Sequence, residues 1–527
     1  MHDGSGKIKR PLLLMGAAFF VTLRILTSYG VSLFLTILPI AVSAVGFSLV
    51  FVHKKRAAAL TVIFLTVAAA CVCFLRCENS FSSVRGSLTG DGRVVVGQIY
   101  EMQEKDNGSE CVVKAKSVDG IKTDCKMNVR FHHIISQRLE TFTDISFVSD
   151  VYGFEGEKNE DVNYYKSEGI YLLGSCNEDA VTVLNDSGKS LRYYLNSIRS
   201  QIFKTVTDFI PNENGKLILA FSLGEKSLLS KNTVDRFRIC GLSHIMAISG
   251  LHVYTWSNAL FVCLIRVISK RKAALFSIAL TYLFVAFTGF SPSAVRAGIM
   301  VTFVYVGYVF LKVPDSLNSL GAASLMMCVA NPYIVHNVSF LLSFSAALGL
   351  SITGKSISRI EIKIPHFKKL SGALSFLARS AMICVVATVF TLPVSVFTFG
   401  KVSLLSILSN VLCVELSMLV MIVGFIGAIL ASVGFLSYLG YPMLILAGVL
   451  SKMILKIVSF LSRFDFLYIY VGSLQVKVCV NILVMTAVMI FMFRPQTYKN
   501  KLIVALTAVN TVIVCLIVLS VISFIKG

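Results

Sequence analysis

Runs of about 20 apolar residues recur along this chain, and a run of that length has one stable use. It crosses a bilayer as a helix, because only a helix satisfies its own backbone polar groups in hydrocarbon. Such runs fall near 11–29, 30–52, 57–75, 246–268, 273–289, 293–311, 316–334, 337–353, 372–393, 405–430, 441–461, 476–493 and 502–525. The chain is 55% hydrophobic and 15% charged, against about 25% charged in soluble domains. A single soluble domain is excluded. The expectation is a polytopic α-helical membrane protein with about 13 spans.

Basic clusters set the orientation. Lys7, Lys9 and Arg10 precede the first run, Lys54, Lys55 and Arg56 follow the second, and Lys270, Arg271 and Lys272 follow the fourth. Lys355, Arg359, Lys363, Lys368 and Lys369 lie between the eighth and ninth runs, and Arg494, Lys499 and Lys501 precede the last. Counting from an inside N-terminus places all of them on the cytoplasmic side, as the positive-inside rule requires. The same count places the C-terminus and the segment after residue 75 outside. The first run is too long for a signal-peptide core and lacks an A-x-A-like site, so it reads as a retained helix.

Between Arg76 and Ile210 there are 16 Lys+Arg against 20 Asp+Glu, a net of −4; the whole chain is +21, so the rest carries +25. One acidic soluble domain is thus inserted into a basic membrane body. Arg93 to Tyr100, Cys111 to Lys116, Cys125 to Phe131 and Ile145 to Tyr152 alternate like short strands between Gly, Asp and Asn turns. This suits a small all-β barrel of the OB type over 76–190, a fold that holds single-stranded nucleic acid or oligosaccharide in many proteins. Cys111 and Cys125 fall in neighbouring strands and form the first disulfide candidate; buried free thiols fit the same positions. Cys77 and Cys176 bracket the domain. Connecting helices are expected over 191–240. Within them, Leu191 to Ile210 has helical periodicity with a basic polar face, suited to a membrane surface or to a plain linker.

The membrane body over 241–527 contains the most unusual segment, GLSHIMAISGLHV, from Gly241 to Val253. Polar side chains at membrane depth cost roughly 1–3 kcal/mol each when left unpartnered. Gly241 and Gly250 interrupt this run, and broken helices line transport sites in many carriers. His244, Ser249 and His252 sit in the break. Arg296 follows Ser291-Pro292-Ser293 just inside the sixth run, where an arginine needs an acid, a carbonyl or a phosphate, or snorkels to the surface. Asn410 and Glu415 lie in the tenth. Interhelical hydrogen bonding explains such groups as readily as a lined path does. Trp256 suits packing or an interface.

Four ordered blocks resemble the ComEC-type competence DNA channel family. They are Leu217 to Val253, FTGFSPSAVRAGIM from Phe287 to Met300, DSLNSLGAASLMMCVANPYIVHNVSFLLSFSAALGL from Asp315 to Leu350, and LPVSVFTFGKVSLLSILSN from Leu392 to Asn410. NYYKSEGI, from Asn163 to Ile170, resembles part of the family's external OB-like module. The resemblance implies uptake of single-stranded transforming DNA across a bacterial cytoplasmic membrane. An external DNA receptor would hand over the strand and a cytoplasmic ATP-driven motor would pull it, with membrane lipid around the bundle. Homo-oligomers are compatible with this reading. His244, Ser249, His252, Ser291, Ser293, Arg296 and Asn410 are the DNA-path candidates. At Glu415 the family commonly has a proline nearby, and its role here is open. The metallo-β-lactamase-like domain of longer relatives needs a His/Asp ligand cluster, and the eight histidines of this chain are scattered, so that domain is expected to be lacking.

Two competing signals carry little. GLSITGKS, from Gly349 to Ser356, satisfies the P-loop pattern but ends a membrane run instead of following a strand, so no ATPase is expected. Ser249 and His252 suggest an intramembrane hydrolase, yet no orienting acid lies in the block. No CxxC or Cys/His metal spacing occurs, so neither enzyme activity nor a cofactor is expected. The alternative from another class is a small-solute or lipid-linked transporter on the same bundle.

Overall fold

The computed structural model describes residues 11–29, 54–105, 108–132, 144–155, 159–176, 181–184, 191–246, 250–288, 292–310, 315–362 and 368–471, together with 473 and 477. The chain forms two compact units, Met1–Ser200 with Pro314–Phe340, and Gln201–Val313 with Leu341–Gly527.

In the first unit, α1 (Pro11–Tyr29) and α2 (Lys54–Leu88) precede strands β1 (Gly90–Lys105), β2 (Gly108–Val118), β3 (Ile121–Phe131) and β4 (Asp144–Tyr152). Helix α3 (Asn159–Ser167), β5 (Ile170–Cys176) and the short β6 (Thr182–Val183) follow. Along most of their described length, β1 to β4 bury alternate residues. In β3, Cys125, Met127, Val129 and Phe131 face inward and the residues between them do not, the period that a barrel wall requires. The strand order is β1-β2-β3-β5-β4, closed by β1 on β4, with β3 and β5 parallel and the short β6 added beside β4. It is the small five-stranded barrel that the alternation predicts.

The β2–β3 turn is Asp119-Gly120, both with positive φ (48° and 78°), the two-residue hairpin geometry that matches strand twist. That turn corrects the disulfide expectation. It fixes a register in which Cys111 faces Val129 and Cys125 faces Ala115, about four residues apart along the ladder, too far for a bridge. Both are free, buried thiols. Burial, with Glu110 adding to it, pushes the Cys111 thiol up to about 12, so it stays protonated.

The barrel boundary also shifts. Hydropathy falls at Arg76, but α2 continues as one helix to Leu88, because Arg76 to Ser87 is polar without a helix breaker until Gly86. Later in the chain, α10 (Ser316–Ala330) packs against α1. A Cβ on Gly16 would lie 2.7 Å from the Gly321 carbonyl, so the two backbones touch through glycines, as membrane helices do.

The second unit contains the C-terminal part of α4 (Leu191–Phe209), then α5 (Glu213–Leu223), α6 (Lys231–Ile239), α7 (Gly250–Leu264), α8 (Lys270–Phe287) and α9 (Pro292–Val309). After α10 come α11 (Val338–Ile357), α12 (Lys368–Phe399), β7 (Lys401–Ser403), α13 (Ser406–Ser432), α14 (Ser437–Leu461) and β8 (Tyr468–Tyr470). Helices α13 and α14 form a close-packed hairpin. A Cβ on Gly440 would meet the Gly427 carbonyl at 2.7 Å.

Among the described residues five helices are long and apolar enough to cross a membrane: Pro11–Ser28, Val338–Ile357, Leu374–Phe399, Ser406–Ser432 and Gly434–Leu461. Ser293–Val309 and Ser316–Ala330 are shorter apolar helices. These helices fit a membrane protein, and the described residues do not confirm the expected count of about 13. The runs at 30–52, 476–493 and 502–525 lie outside the described residues. Within the run at 246–268 the described helix is the 15-residue α7, about 22 Å long at helical rise. The P-loop match lies wholly within α11.

Candidate functional site at the broken helix

The break is built by local chemistry. Ser230 caps α6 by accepting from the Thr233 N–H, and Gly241 ends that helix in the left-handed region at φ 71°. The Gly241 N–H donates to the Arg238 carbonyl and the Leu242 N–H to the Phe237 carbonyl, the paired bonds of a glycine C-terminal cap. A side chain at 241 would also strike Ser406, because a Cβ there would lie 2.7 Å from the Ser406 Cβ. Glycine is therefore required twice over.

Serines at and before the start of α13 satisfy the carbonyls that the ended helix leaves open. Ser403 donates to the Ile239 carbonyl at 2.6 Å, and Ser409 to the Cys240 carbonyl at 2.5 Å. The sequence reading missed both. The cue was available in SLLSILSN, a serine at every third or fourth position on one helical face.

A 3-10 turn over Ser243–Ile245 follows. His244 lies in it, bonds through its imidazole to the Gly241 backbone, and keeps accessible surface. His252, in the first turn of α7, is fully buried, and the two imidazoles are close enough to interact electrostatically. Gly250 faces α9, where a Cβ on it would make ordinary contact with the Ala297 Cβ at 3.7 Å. The neighbouring Arg296 is 3% exposed and donates from Nε to Ser343 Oγ of α11 at 3.1 Å. Its guanidinium thus lies inside the protein and does not snorkel.

Asn410 is buried one residue beyond Ser409, and its Oδ1 has no partner among the described residues. Ser293 is half-buried in the first turn of α9. Ser249 and Ser291 lie outside the described residues. The structure thus brings His244 near His252, Gly250 near the Arg296 turn, and Asn410 beside the Cys240–Gly241 cap. Glu415 on α13 is exposed and close enough to Cys384 of α12 to act on it electrostatically.

Trp256 packs instead of anchoring an interface. It stacks on Phe284 with centroids 5.5 Å apart and meets Phe425 edge-on at 5.2 Å. Deeper in α7, Ser257 donates to Tyr305 and accepts from Thr281, at 3.0 and 2.7 Å. These bonds tie α7, α8 and α9 together, and sequence reasoning did not find them.

The described candidates near the break thus supply imidazole, guanidinium and carboxamide groups: His244 and His252 lie close to each other, Arg296 bonds to Ser343, and Asn410 follows Ser409. Among the described residues no group of three or more His, Cys, Asp or Glu is placed to hold a metal ion.

Comparison with known proteins covers this region. A competence protein family model matches residues 221–496, which include the break, Arg296 and Asn410. ComE operon protein 3 of Bacillus subtilis (strain 168) is 23% identical over 263 residues, 49% of this chain and 32% of the relative. The chain therefore spans about a third of the length of that curated relative. No solved structure matches.

Proposed function

The chain belongs to the competence protein family, and from that premise we propose that it conducts single-stranded transforming DNA across the bacterial cytoplasmic membrane. The carrying observation is the glycine-capped end of α6 at Gly241 and the 3-10 turn over Ser243–Ile245 that follows it. On this reading the interruption lies at membrane depth, and His244, His252, Arg296 and Asn410 line the path. Non-helical backbone at that depth is tolerated only beside protein or a watered cavity. A polyanion needs that wet, sparsely cationic lining, without base-specific contacts.

On this reading the N-terminus is cytoplasmic and the barrel lies outside, where it guides the strand. An external receptor supplies the DNA, and a cytoplasmic ATP-driven motor draws it in. No catalytic step is assigned to this chain.

The test is cytoplasmic arrival of labelled transforming DNA in a host whose own channel is deleted. The intact chain restores arrival. Arg296→Ala inserts normally and abolishes it. Correct insertion of the intact chain, with its partners supplied and no arrival, would overturn the proposal.

A further inference from the structure

Where α13 begins and α14 ends, β7 and β8 pair as a short antiparallel ribbon. Lys401 lies opposite Tyr470, Val402 opposite Ile469, and Ser403 opposite Tyr468. Paired residues share a face and alternate residues reverse it. One face of the ribbon therefore carries Lys401, Ser403, Tyr468 and Tyr470, and the other carries Val402 and Ile469.

The first face has a distinct chemistry. Lys401 Nζ lies 5.8 Å from the Tyr468 ring centroid and 6.0 Å from that of Tyr470. Lys401 is exposed and makes no ion pair with a described residue. Tyr470 is 72% exposed, so its ring is open to contact. Lys477 Nζ lies 3.3 Å from where a Cβ on Gly400 would sit, which brings a second ammonium to the ribbon's edge. Arg238 and Asp235 at the end of α6 act electrostatically on Tyr468, and they pair with each other at 2.8 Å. Ser403 ties the ribbon to α6 through its 2.6 Å bond to the Ile239 carbonyl. The tyrosines thus stand beside the turn that leads to His244.

Two tyrosines at i and i+2 on a strand are about 6.6 Å apart. Aromatic rings at that spacing with cations between and beside them are what unpaired bases and their phosphates require. An aromatic and lysine pair also suits a membrane interface. The ribbon separates these uses by face, however, since exposed Ile469 is on the apolar side and the cation sits between the rings on the other. We propose that the Lys401–Tyr468–Tyr470 face is a stacking site for single-stranded nucleic acid beside the broken helix. The proposal rests on the DNA-uptake reading and gives it a receiving surface.

The test uses the full chain in discs of uncharged lipid, with a short fluorescein-labelled oligothymidine as the probe. The paired change Tyr468→Leu with Tyr470→Leu keeps apolar area but removes both rings, and affinity falls at least tenfold, on the order of the loss of one to two stacked bases. Tyr470→Phe stays within about twofold, because the ring face is kept. Lys401→Gln lowers the slope of log affinity against log salt by about one. Wild-type affinity in the double-leucine variant would overturn the stacking site and leave the uptake reading standing. Wild-type affinity together with lost flotation on phosphatidylserine vesicles would reassign the face to lipid. No binding by the folded wild-type chain would overturn both proposals.

Discussion

Lys166 in the first unit and Asn410 in the second are both polar side chains buried among apolar neighbours, and their surroundings differ sharply. Lys166 Nζ donates to Glu78 at 2.5 Å and to the Tyr333 hydroxyl at 3.1 Å. It also lies 5.0 and 4.5 Å from the ring centroids of Phe81 and Tyr333. The Tyr333 hydroxyl donates to the same Glu78 oxygen. Around them Asn331 donates to the carbonyls of Lys166 and Ser167, and Asn337 to Glu168. Donors and acceptors are matched, so α2, α3 and the turn after α10 are held in one arrangement. Asn410, by contrast, leaves Oδ1 without a described partner, and Trp256 leaves Nε1 likewise. A matched network specifies structure, whereas an unmatched buried group is a place for water or cargo to supply the missing bond.

The largest expected effect breaks the matched side of this contrast. Lys166→Met strands Glu78 and costs about 3 kcal/mol, read as lost protease resistance and a lower unfolding transition of the first unit. Adding Glu78→Gln recovers most of that cost, as a coupled pair requires. A loss below about 1 kcal/mol would place this network with ordinary surface pairs.

Gly241→Val comes next. The left-handed backbone costs roughly 1–2 kcal/mol for a branched residue, and Ser406 adds a clash. Insertion yield falls, and Ser406→Gly recovers the steric part only. Asn410→Leu sharpens the contrast from the other side. Stability stays level or rises by up to about 1 kcal/mol, while DNA arrival per inserted molecule drops several-fold. A destabilised Asn410→Leu would show that the carboxamide serves the fold.

The smallest effect is electrostatic and confined to the barrel. The Arg93 side chain, followed by the Val94 N–H, holds the Asp119 carboxyl below its usual range. Its contribution is therefore full above the ordinary aspartate value of about 4 and is lost as pH falls through the lower folded value. Hydrogen-exchange protection factors across β1 to β3, corrected for the intrinsic exchange rate, fall on acidification over that window, and Asp119→Asn, which tolerates the positive φ, removes the dependence.

Local patterns were legible in the sequence. Period-two alternation located β1 to β4, and the two glycines located the broken helix, because both signals act within a few residues. The Asp119-Gly120 turn carried the register that separates Cys111 from Cys125, but strand adjacency alone does not use it. The Glu78–Lys166–Tyr333 network was not legible, since its members are 88 to 255 residues apart in the chain and meet only after folding. Hydropathy likewise marked where the apolar part of α2 ends, not where the helix ends. At the break, the residue types drew attention to Arg296, but its Ser343 partner lies 47 residues away, beyond any local pattern.

The most direct test of the account is site-specific crosslinking during uptake. A diazirine-bearing residue replaces His244 in the break or, as a control in the same unit, Phe435, which is 75% exposed. The account predicts that labelled DNA is captured at 244 and not at 435 while arrival continues. Capture at 435 alone, or equally at both positions, would contradict a path through the broken helix.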